Sequence, residues 1–256
     1  MVALGFLFGV VPHVLSLDPY TNNYSEILEP PSLAHPFGTD EFGRDLLSRV
    51  LAGGSLSILA SLYASAIGLL GGASIGILGG MLRGVTDRGV TYLASVFLIF
   101  PGFLLALIIV TVFGPSFNDV LIGVGLSFMP IFTRVARGQT ISVMSSDYVL
   151  GAEALGATRT HLAFRYVVPN IAPILIVLYT IDVPAALGAA AALSFLGLGV
   201  QPPQPELGSI LSSSQMYMAH AWWYAAFPTL FFVLIVLSFA LVGDGLRDAL
   251  DPRFKG

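Results

Sequence analysis

The sequence predicts an all-α protein, a polytopic bundle of six helices that crosses a lipid membrane. Two observations lead to this prediction. First, 55% of the 256 residues are hydrophobic and only 10% are charged, whereas soluble domains usually have about 25% charged residues. Second, the hydrophobic residues are gathered in long segments, and a helix needs about 20 mostly apolar residues to cross a hydrocarbon core about 30 Å thick.

Six segments are expected to span the membrane: residues 1–17, 55–80, 89–113, 119–132, 173–198 and 222–242. The first is interpreted as a membrane helix and not as a signal peptide, because it has no basic start and no small-residue cleavage site. The fourth is short. It reaches spanning length only if Arg134 and Arg137 extend their guanidinium groups to the membrane interface.

The distribution of basic residues predicts the orientation. Six spans place both termini on one side, together with nine of the 11 Lys and Arg residues. Cytoplasmic loops of membrane proteins are rich in basic residues, so both termini are predicted to be cytoplasmic. A chain without the fourth span, inverted in the membrane, gives the same nine-to-two division, so charge alone leaves two topologies open. With six spans, the domains are a first helix (1–17), an external segment (18–54), a five-helix core (55–245) that includes a cytoplasmic loop (134–168), and a cytoplasmic tail (246–256).

The external segment contains a motif rich in Gly, Asp and Arg at residues 35–45. Its carboxylates are of a type that can bind metal, but the simpler interpretation is a capped turn that leads into a helix, with Thr39 or Asp40 as the N-cap. We therefore predict no metal site here. The residues that we assign to this external-mouth motif are Gly38, Thr39, Asp40, Gly43, Arg44 and Asp45.

The cytoplasmic loop at 134–168 predicts two short helices that meet at a glycine. Residues 142–155 can form the first helix, and Gly156 follows as a residue able to adopt a positive φ. Thr158 can cap a second helix over 159–168, which Pro169 is expected to end. Such a compact projection suits docking into a groove of a soluble partner. The alternative is a loop that rests on the membrane surface.

Several kinds of chemistry are excluded by what the sequence lacks. It has no cysteine, so disulfides, thiolate metal sites and a cysteine nucleophile are ruled out. A Walker A loop needs a lysine that reaches the phosphates, and the only lysine is Lys255. The chain is therefore not expected to bind or hydrolyse ATP in that way. No motif predicts an enzyme, a catalytic residue or a metal site, and no basic patch predicts nucleic-acid binding.

One carboxylate, Asp182, lies inside a predicted span. An ionisable group within a membrane is costly and is a candidate functional residue. A proton-coupled carrier usually has several such groups together with repeated halves, and the sequence shows no clear repeat. A structural role, or a polar role in the pathway, is therefore favoured for Asp182 over a proton relay.

Three separated motifs and the cytoplasmic loop resemble one known family. Residues 35–49, 193–203 and 243–253 resemble the external signature, the fifth-span exit and the C-terminal signature of the C-type permease subunit of dipeptide/oligopeptide/nickel ABC importers. Residues 147–170 resemble that family's coupling loop. The family usually has Glu-Ala-Ala where this chain has Leu150-Gly151-Ala152, and a glutamate follows at Glu153. The resemblance covers nearly the whole chain after residue 17.

The resemblance implies a type I ABC importer permease fold in the plasma (inner) membrane of a prokaryote. The implied partners are membrane lipid, a homologous B-type permease subunit, two ATP-binding subunits, which hold ATP and Mg²⁺, and an extracellular or periplasmic substrate-binding protein. No cofactor is expected on this chain. Glu153 lies off the family's usual acidic position and is expected to be solvated. Coupling to the ATP-binding subunits is assigned by resemblance to Tyr148, Gly151, Ala152, Glu153, Ala154, Leu155, Gly156, Ala157 and Thr158.

The function implied by the resemblance is a translocation pathway for di- and oligopeptides that an external binding protein delivers. Conformational gating by ATP-driven partners would open it to each side in turn. Nickel complexes or oligosaccharides are alternative cargoes. Two other classes also stay open: a secondary proton-coupled transporter, in which Asp182 would serve, and a structural membrane subunit, which would leave the coupling loop unexplained.

Overall fold

The computed structural model describes residues 18–114 and 116–250, and in these residues the regular structure is helical. The predicted first span at 1–17 lies outside the described residues. The helices are α1 (Leu46–Leu82), α2 (Gly84–Ile99), α3 (Gly102–Phe113), α4 (Phe117–Met144), α5 (Asp147–Ala154), α6 (Arg159–Leu162), α7 (Val168–Phe195), α8 (Leu207–Ser214) and α9 (Trp222–Leu250). A π-helical turn, Ala163–Val167, joins α6 to α7, and a 3₁₀ turn, Gln215–Tyr217, follows α8.

Four helices in the described residues are long and apolar enough to cross a membrane: α1, α4, the continuous helix Arg159–Phe195 and α9. Helices α2 and α3 pass the same test only as a pair, and they are bent by 93° relative to each other. The predicted span at 89–113 is therefore not one continuous helix but a bent pair. Pro101, which has no amide hydrogen, lies at the bend, and Phe100 before it is extended; this is the conformation favoured ahead of proline.

Helix α1 has 37 residues, so it is about 55 Å long and exceeds the thickness of a bilayer core. It begins at Leu46 and not at residue 55, because Asp45 caps it: the Asp45 carboxylate accepts a hydrogen bond from the Ser48 amide at 2.7 Å. The prediction that Thr39 or Asp40 would be the cap is wrong. Those residues belong to the turn that precedes the helix.

Helix α4 is a full span of 28 residues, so the prediction of a short fourth span at 119–132 is wrong. Pro130 lies inside the helix without ending it. The guanidinium of Arg137 forms an ion pair with Asp87 of α2. Because α4 is long and apolar enough to cross a membrane, the topology that omitted the fourth span is not favoured.

Helices α1 and α4 pack backbone to backbone along a row of glycines spaced four residues apart. A Cβ atom at Gly72 would lie 2.4 Å from the Met129 carbonyl oxygen, and one at Gly76 would lie 2.5 Å from that of Thr133. Gly80 meets Thr140 in the same way, further along both helices. Small residues at this spacing let membrane helices approach closely. Because the contacts advance together, α1 and α4 run parallel, and the bent α2–α3 pair must return the chain across the membrane between them.

Helices α7, α8 and α9 complete the bundle around α1. Leu46 and Val50 at the start of α1 pack with Leu187 of α7, Leu207 of α8 and Tyr224 of α9 in one buried cluster. Helix α8 lies so close to α7 that a Cβ at Gly208 would be 2.4 Å from the Ala191 carbonyl oxygen. The start of α1, the end of α7, helix α8 and the start of α9 therefore meet at one end of the bundle, and the ends of α1 and α4 lie at the other.

Candidate functional site

The turn between α5 and α6 contains the glycine that the sequence singles out. Gly156 has φ +87°, its amide donates to the Glu153 carbonyl at 3.0 Å, and the Ala157 amide donates to the Ala152 carbonyl at 3.1 Å. This pair of bonds is a Schellman motif, which satisfies the free carbonyls at the end of a helix. Nothing lies within 4 Å of a Cβ placed at Gly156. The glycine is therefore required by the backbone conformation and not by crowding inside the chain.

The second helix of the loop starts as predicted but does not end where predicted. The Thr158 side chain accepts a hydrogen bond from the His161 amide and caps α6. Helix α6 then continues through the π turn at Ala163–Val167 into α7, so the prediction that Pro169 ends it is wrong. Pro169 sits in the first turn of α7, where its missing amide hydrogen is tolerated. Residues 134–144 of the predicted loop belong to α4.

The loop is anchored on one side and exposed on the other. Val149 of α5 and Leu162 of α6 are buried in a cluster with Phe132 of α4 and Met81 of α1. In contrast, Leu155 is 92% exposed, and Tyr148 and Phe164 are also exposed. Of the other predicted coupling residues, Gly151, Ala154 and Thr158 are exposed, whereas Ala152, Glu153 and Ala157 are half-buried. A projection that displays large apolar side chains is typical of a surface that binds a partner.

Glu153 is not merely solvated, as the sequence analysis expected. Its carboxylate lies 3.1 Å from the guanidinium of Arg159 on α6. The same guanidinium donates a hydrogen bond to the carbonyl of Met81, at the end of α1. No sequence pattern could indicate the contact between Arg159 and Met81, because the two residues are 78 positions apart and the acceptor is a backbone atom.

The external-mouth motif folds into a compact turn around a buried carboxylate. Asp40 has no exposed surface and accepts hydrogen bonds from the Arg44 amide at 3.0 Å and the Arg44 side chain at 2.7 Å. Arg49 of α1 lies 3.1 Å from the same carboxylate and donates to the Pro19 carbonyl. Glu41 accepts a hydrogen bond from the hydroxyl of Tyr224. The motif thereby fixes the external segment to α1 and α9.

The remaining residues of the motif support this turn. Thr39 is buried and accepts a hydrogen bond from the Glu29 amide at 2.8 Å. Gly38 and Gly43 both have positive φ, and a Cβ at Gly43 would lie 1.8 Å from the Asn23 carbonyl oxygen. Both positions therefore need glycine: a side chain at Gly38 would collide with the Trp223 ring, and one at Gly43 would collide with Asn23.

His35 joins two carboxylates of the external segment. Its Nδ1 lies 3.0 Å from Asp45 and its Nε2 lies 3.3 Å from Glu26. The hydrogen bond to Asp45 raises the pKa of His35 above its ordinary value of 6.5, and Glu26 acts in the same direction. Protonated His35 therefore stabilises the contact between the external segment and the cap of α1.

Asp182 faces the interior of the bundle. Its residue surface is 6% exposed, and its Oδ2 has no hydrogen-bond partner in the described residues. The hydroxyl of Ser65 on α1 is likewise buried and lies beside the Asp182 carboxylate. One turn earlier on α7, the Tyr179 hydroxyl donates to the Leu62 carbonyl of α1. These groups form a small polar region between α1 and α7.

The sequence analysis missed a third buried carboxylate, Glu206, at the opposite end of the bundle from the coupling loop. It is 3% exposed, accepts a hydrogen bond from the Ser57 hydroxyl of α1 at 2.9 Å, and caps α8 through the Ser209 amide at 3.0 Å. An acidic residue after a proline-rich stretch and before an apolar run is a recognisable helix start. Its partner, 149 positions away, is visible only in the fold.

Comparisons with known proteins give the family. Residues 72–256 match the family described as "Binding-protein-dependent transport system inner membrane component". The glutathione transport system permease protein GsiD of Escherichia coli O6:K15:H31 (strain 536 / UPEC) is 42% identical over 234 residues, which cover 91% of this chain and 77% of GsiD. The probable D,D-dipeptide transport system permease protein DdpC of Escherichia coli (strain K12) is 39% identical over 245 residues, 96% of this chain and 82% of DdpC.

Solved structures show the same fold at lower sequence identity. A chain of the MetNI methionine ABC transporter in an inward-facing conformation superposes with a TM-score of 0.65 at 16% identity, covering 79% of this chain and 96% of that one. An amino acid ABC transporter with histidines gives a TM-score of 0.60 at 14% identity, covering 78% of this chain and 94% of that one. The protein thus belongs to the family of inner membrane components of binding-protein-dependent transport systems, and it is a polytopic permease of the ABC importer type.

Proposed function

We propose that this permease works in a complex with a homologous B-type permease subunit, two ATP-binding subunits and an external substrate-binding protein. ATP and Mg²⁺ are bound by the ATP-binding subunits, and this chain binds no cofactor and performs no bond chemistry. The complex lies in the plasma (inner) membrane of a prokaryote with both termini of this chain in the cytoplasm. Family membership supports the assembly, and the exposed apolar projection formed by α5 and α6 supports docking of the ATP-binding subunits.

The observation on which the docking proposal depends is the geometry of the loop. Buried Val149 and Leu162 hold α5 and α6 against α1 and α4, while Tyr148 and Leu155 remain exposed. A partner that receives these side chains therefore moves a unit that is already packed against two spanning helices.

The docking proposal is tested by Gly156→Val. A β-branched residue at φ +87° costs about 1 kcal/mol or more in backbone strain. We expect the variant to insert and to pair with the second permease subunit, yet to lose ATP-binding subunits during purification and to hydrolyse ATP without matching uptake. Gly138→Val is the matched control, since that glycine on α4 is exposed and no atom lies within 4 Å of an added Cβ.

A normal complex with a normal uptake rate in the Gly156→Val variant would refute the assignment of coupling to this loop. The role would then pass to the connection between α1 and α2 or to the tail. Membrane insertion is checked by size-exclusion chromatography of the variant with the second permease subunit, so that misfolding is not confused with loss of docking.

For the cargo, we propose short peptides of two or three residues, glutathione included. The support is the names of the relatives, one a glutathione permease and one a probable D,D-dipeptide permease. The test is competition in proteoliposomes that contain the full complex and its binding protein, with labelled glutathione against dipeptides, a nickel chelate and an oligosaccharide. Peptides should compete, and competition by the nickel chelate or the oligosaccharide alone would overturn the proposal.

A further inference from the structure

Arg159 makes the one described polar contact between the coupling loop and the end of α1. Its Nη1 donates to the Met81 carbonyl at 3.3 Å, and its Nη2 lies 3.1 Å from the Glu153 carboxylate of α5. Arg159 is itself the first residue of α6. One guanidinium therefore connects three elements: α1, α5 and α6. The planar group of arginine presents several donors in a fixed geometry, which suits it to join separate acceptors.

The acceptor on α1 is chemically suited to a cation. The last four carbonyls of a helix have no partner within the helix, and the Met81 carbonyl is one of them. Two residues after Met81, the Arg83 amide donates a hydrogen bond to the Gly79 carbonyl. The C-terminal end of a helix also bears partial negative charge. The Arg159 guanidinium thus supplies a partner that the chain of α1 does not provide for itself.

The contact lies immediately before a point where the backbone changes direction. Arg83 has φ +51° and Gly84 has φ +65°, so two consecutive residues adopt left-handed conformations between α1 and α2. A side chain other than glycine at such an angle stores strain of about 1–3 kcal/mol. Beyond this break, Asp87 of α2 pairs with Arg137 of α4. The end of α1 packs on both neighbours, since a Cβ at Gly79 would meet Val90 of α2 and one at Gly80 would meet Thr140 of α4. Arg159 adds a polar link from the coupling loop to this end of α1.

At its far end, α1 contacts the groups that close the outer side of the bundle. Ser57 lies 24 residues before Met81, about 36 Å along a continuous helix, and bonds the buried Glu206 at the start of α8. Arg49 lies beside the buried Asp40. Movement applied at Met81 therefore acts on a stiff element that reaches the external segment and α8.

We propose that Arg159 is the positioning residue that transmits displacement of the coupling loop to α1, through Glu153 on one side and the Met81 carbonyl on the other. This inference rests on the proposed function, because it requires ATP-binding subunits that move α5. The Glu153 and Arg159 side chains are 40% and 58% exposed, and ion pairs at such sites contribute little to stability. Loss of the pair is therefore expected to change coupling and to leave folding intact.

The test is a double-mutant cycle of Arg159→Ala and Glu153→Ala in the reconstituted complex. Three quantities are measured: retention of the ATP-binding subunits, thermal stability of the complex, and the number of substrate molecules imported per ATP hydrolysed. Arg159→Ala should lower the number of substrate molecules imported per ATP by about tenfold, within the range typical of coupling between two sites. Retention of the ATP-binding subunits and thermal stability should stay unchanged. Glu153→Ala should lower import per ATP less, and the double variant should be no worse than Arg159→Ala alone, because both residues belong to one connection.

Arg165→Ala is the matched control, since it removes the same charge from the same loop at an exposed position for which no ion pair is described. It should keep import per ATP within about twofold, as surface substitutions usually do. Normal import per ATP in Arg159→Ala, or additive losses in the double variant, would overturn the inference while leaving the proposed function in place. Failure of the unmutated complex to retain ATP-binding subunits would instead refute the proposed function itself.

Discussion

Buried charged side chains lie mainly at the end of the bundle opposite the coupling loop, where most of them have partners. Asp40 lies between Arg44 and Arg49, and Glu206 is bonded by Ser57 and caps a helix. Asp182, within the bundle, is the exception, with one carboxylate oxygen unpartnered among the described residues. A buried charge with a partner holds the elements around it in place. A buried charge without a partner in a spanning helix is a candidate functional residue, and its role should be tested.

For Asp182 we predict a polar structural role. Asp182→Asn keeps the shape and hydrogen-bonding capacity of the side chain, so ATP-driven uptake should stay within about twofold of the unmutated rate. The pH dependence of uptake should change little, because one isolated carboxylate does not form a proton relay. Uptake by the reconstituted complex, measured across a pH series, checks this. Loss of transport together with loss of its pH dependence would contradict it.

His35 predicts a pH-dependent contribution to stability. Its pKa is raised in the folded protein, chiefly by the hydrogen bond to Asp45. A raised pKa means that the stabilisation is complete below the ordinary value of about 6.5 and is lost as pH rises through the higher folded value. The midpoint of thermal unfolding of the purified protein should therefore fall as the pH rises from about 6.5 through the folded pKa of His35. His35→Gln should flatten that dependence, and an unchanged pH profile in this variant would contradict the assignment.

At the scale of elements, the parallel packing of α1 and α4 determines how the bundle is built. Their backbones approach so closely that Gly72 and Gly76 have no room for a side chain. The same two helices anchor the coupling loop, because Met81 of α1 and Phe132 of α4 share a buried cluster with Leu162 of α6. Small residues four apart favour close packing of membrane helices, but the sequence does not say which helices meet, because the partner of a glycine face is set by the fold.

Gly76→Ala tests this packing. The added methyl would lie 2.5 Å from the Thr133 carbonyl oxygen and 2.9 Å from the Ala136 Cβ, and overpacking of this kind costs about 1–3 kcal/mol. We expect a lower midpoint of thermal unfolding in detergent. Gly138→Ala on α4 is the control, since its surroundings are open and alanine favours helix more than glycine does. Equal midpoints in the two variants would show that the α1–α4 contact is not as close as described.

The sequence predicted element identity better than element ends. The glycine turn at 156 and its Thr158 cap are visible in the sequence because local chemistry determines them. Asp45, and not Thr39 or Asp40, caps α1, and α6 continues through Pro169 instead of ending there. Both helix ends were predicted wrongly, because several nearby residues satisfy the same local rules for starting or ending a helix. The links from Arg159 to Met81 and from Glu206 to Ser57 were not predictable, because each joins positions far apart in the chain.

For the whole molecule, the described contacts define two ends of one bundle. The external segment, α8 and the start of α9 meet at the start of α1, and the coupling loop meets the end of α1. Helix α1 connects the two ends without a break over 37 residues. One unbroken helix therefore joins the coupling loop to the external segment and α8.

The orientation of this bundle is tested by labelling single cysteines, for which the absence of native cysteine is convenient. Ser32 and Met216 are exposed at the outer end, and Ser145 is exposed beside the coupling loop. A membrane-impermeant thiol reagent applied to intact cells should label cysteines at positions 32 and 216. It should label position 145 only after the membrane is made permeable. The reverse pattern would contradict cytoplasmic termini.

The central claim, that this chain is the permease of an ATP-driven importer, is tested most directly by the energy source of uptake. The chain is reconstituted in proteoliposomes with the second permease subunit, the ATP-binding subunits and the binding protein, and uptake of labelled peptide is followed under two conditions. Uptake should occur with ATP on the side of the ATP-binding subunits and should be absent with a proton gradient alone. Uptake driven by the gradient without ATP, and lost in Asp182→Asn, would contradict the account and identify a secondary transporter.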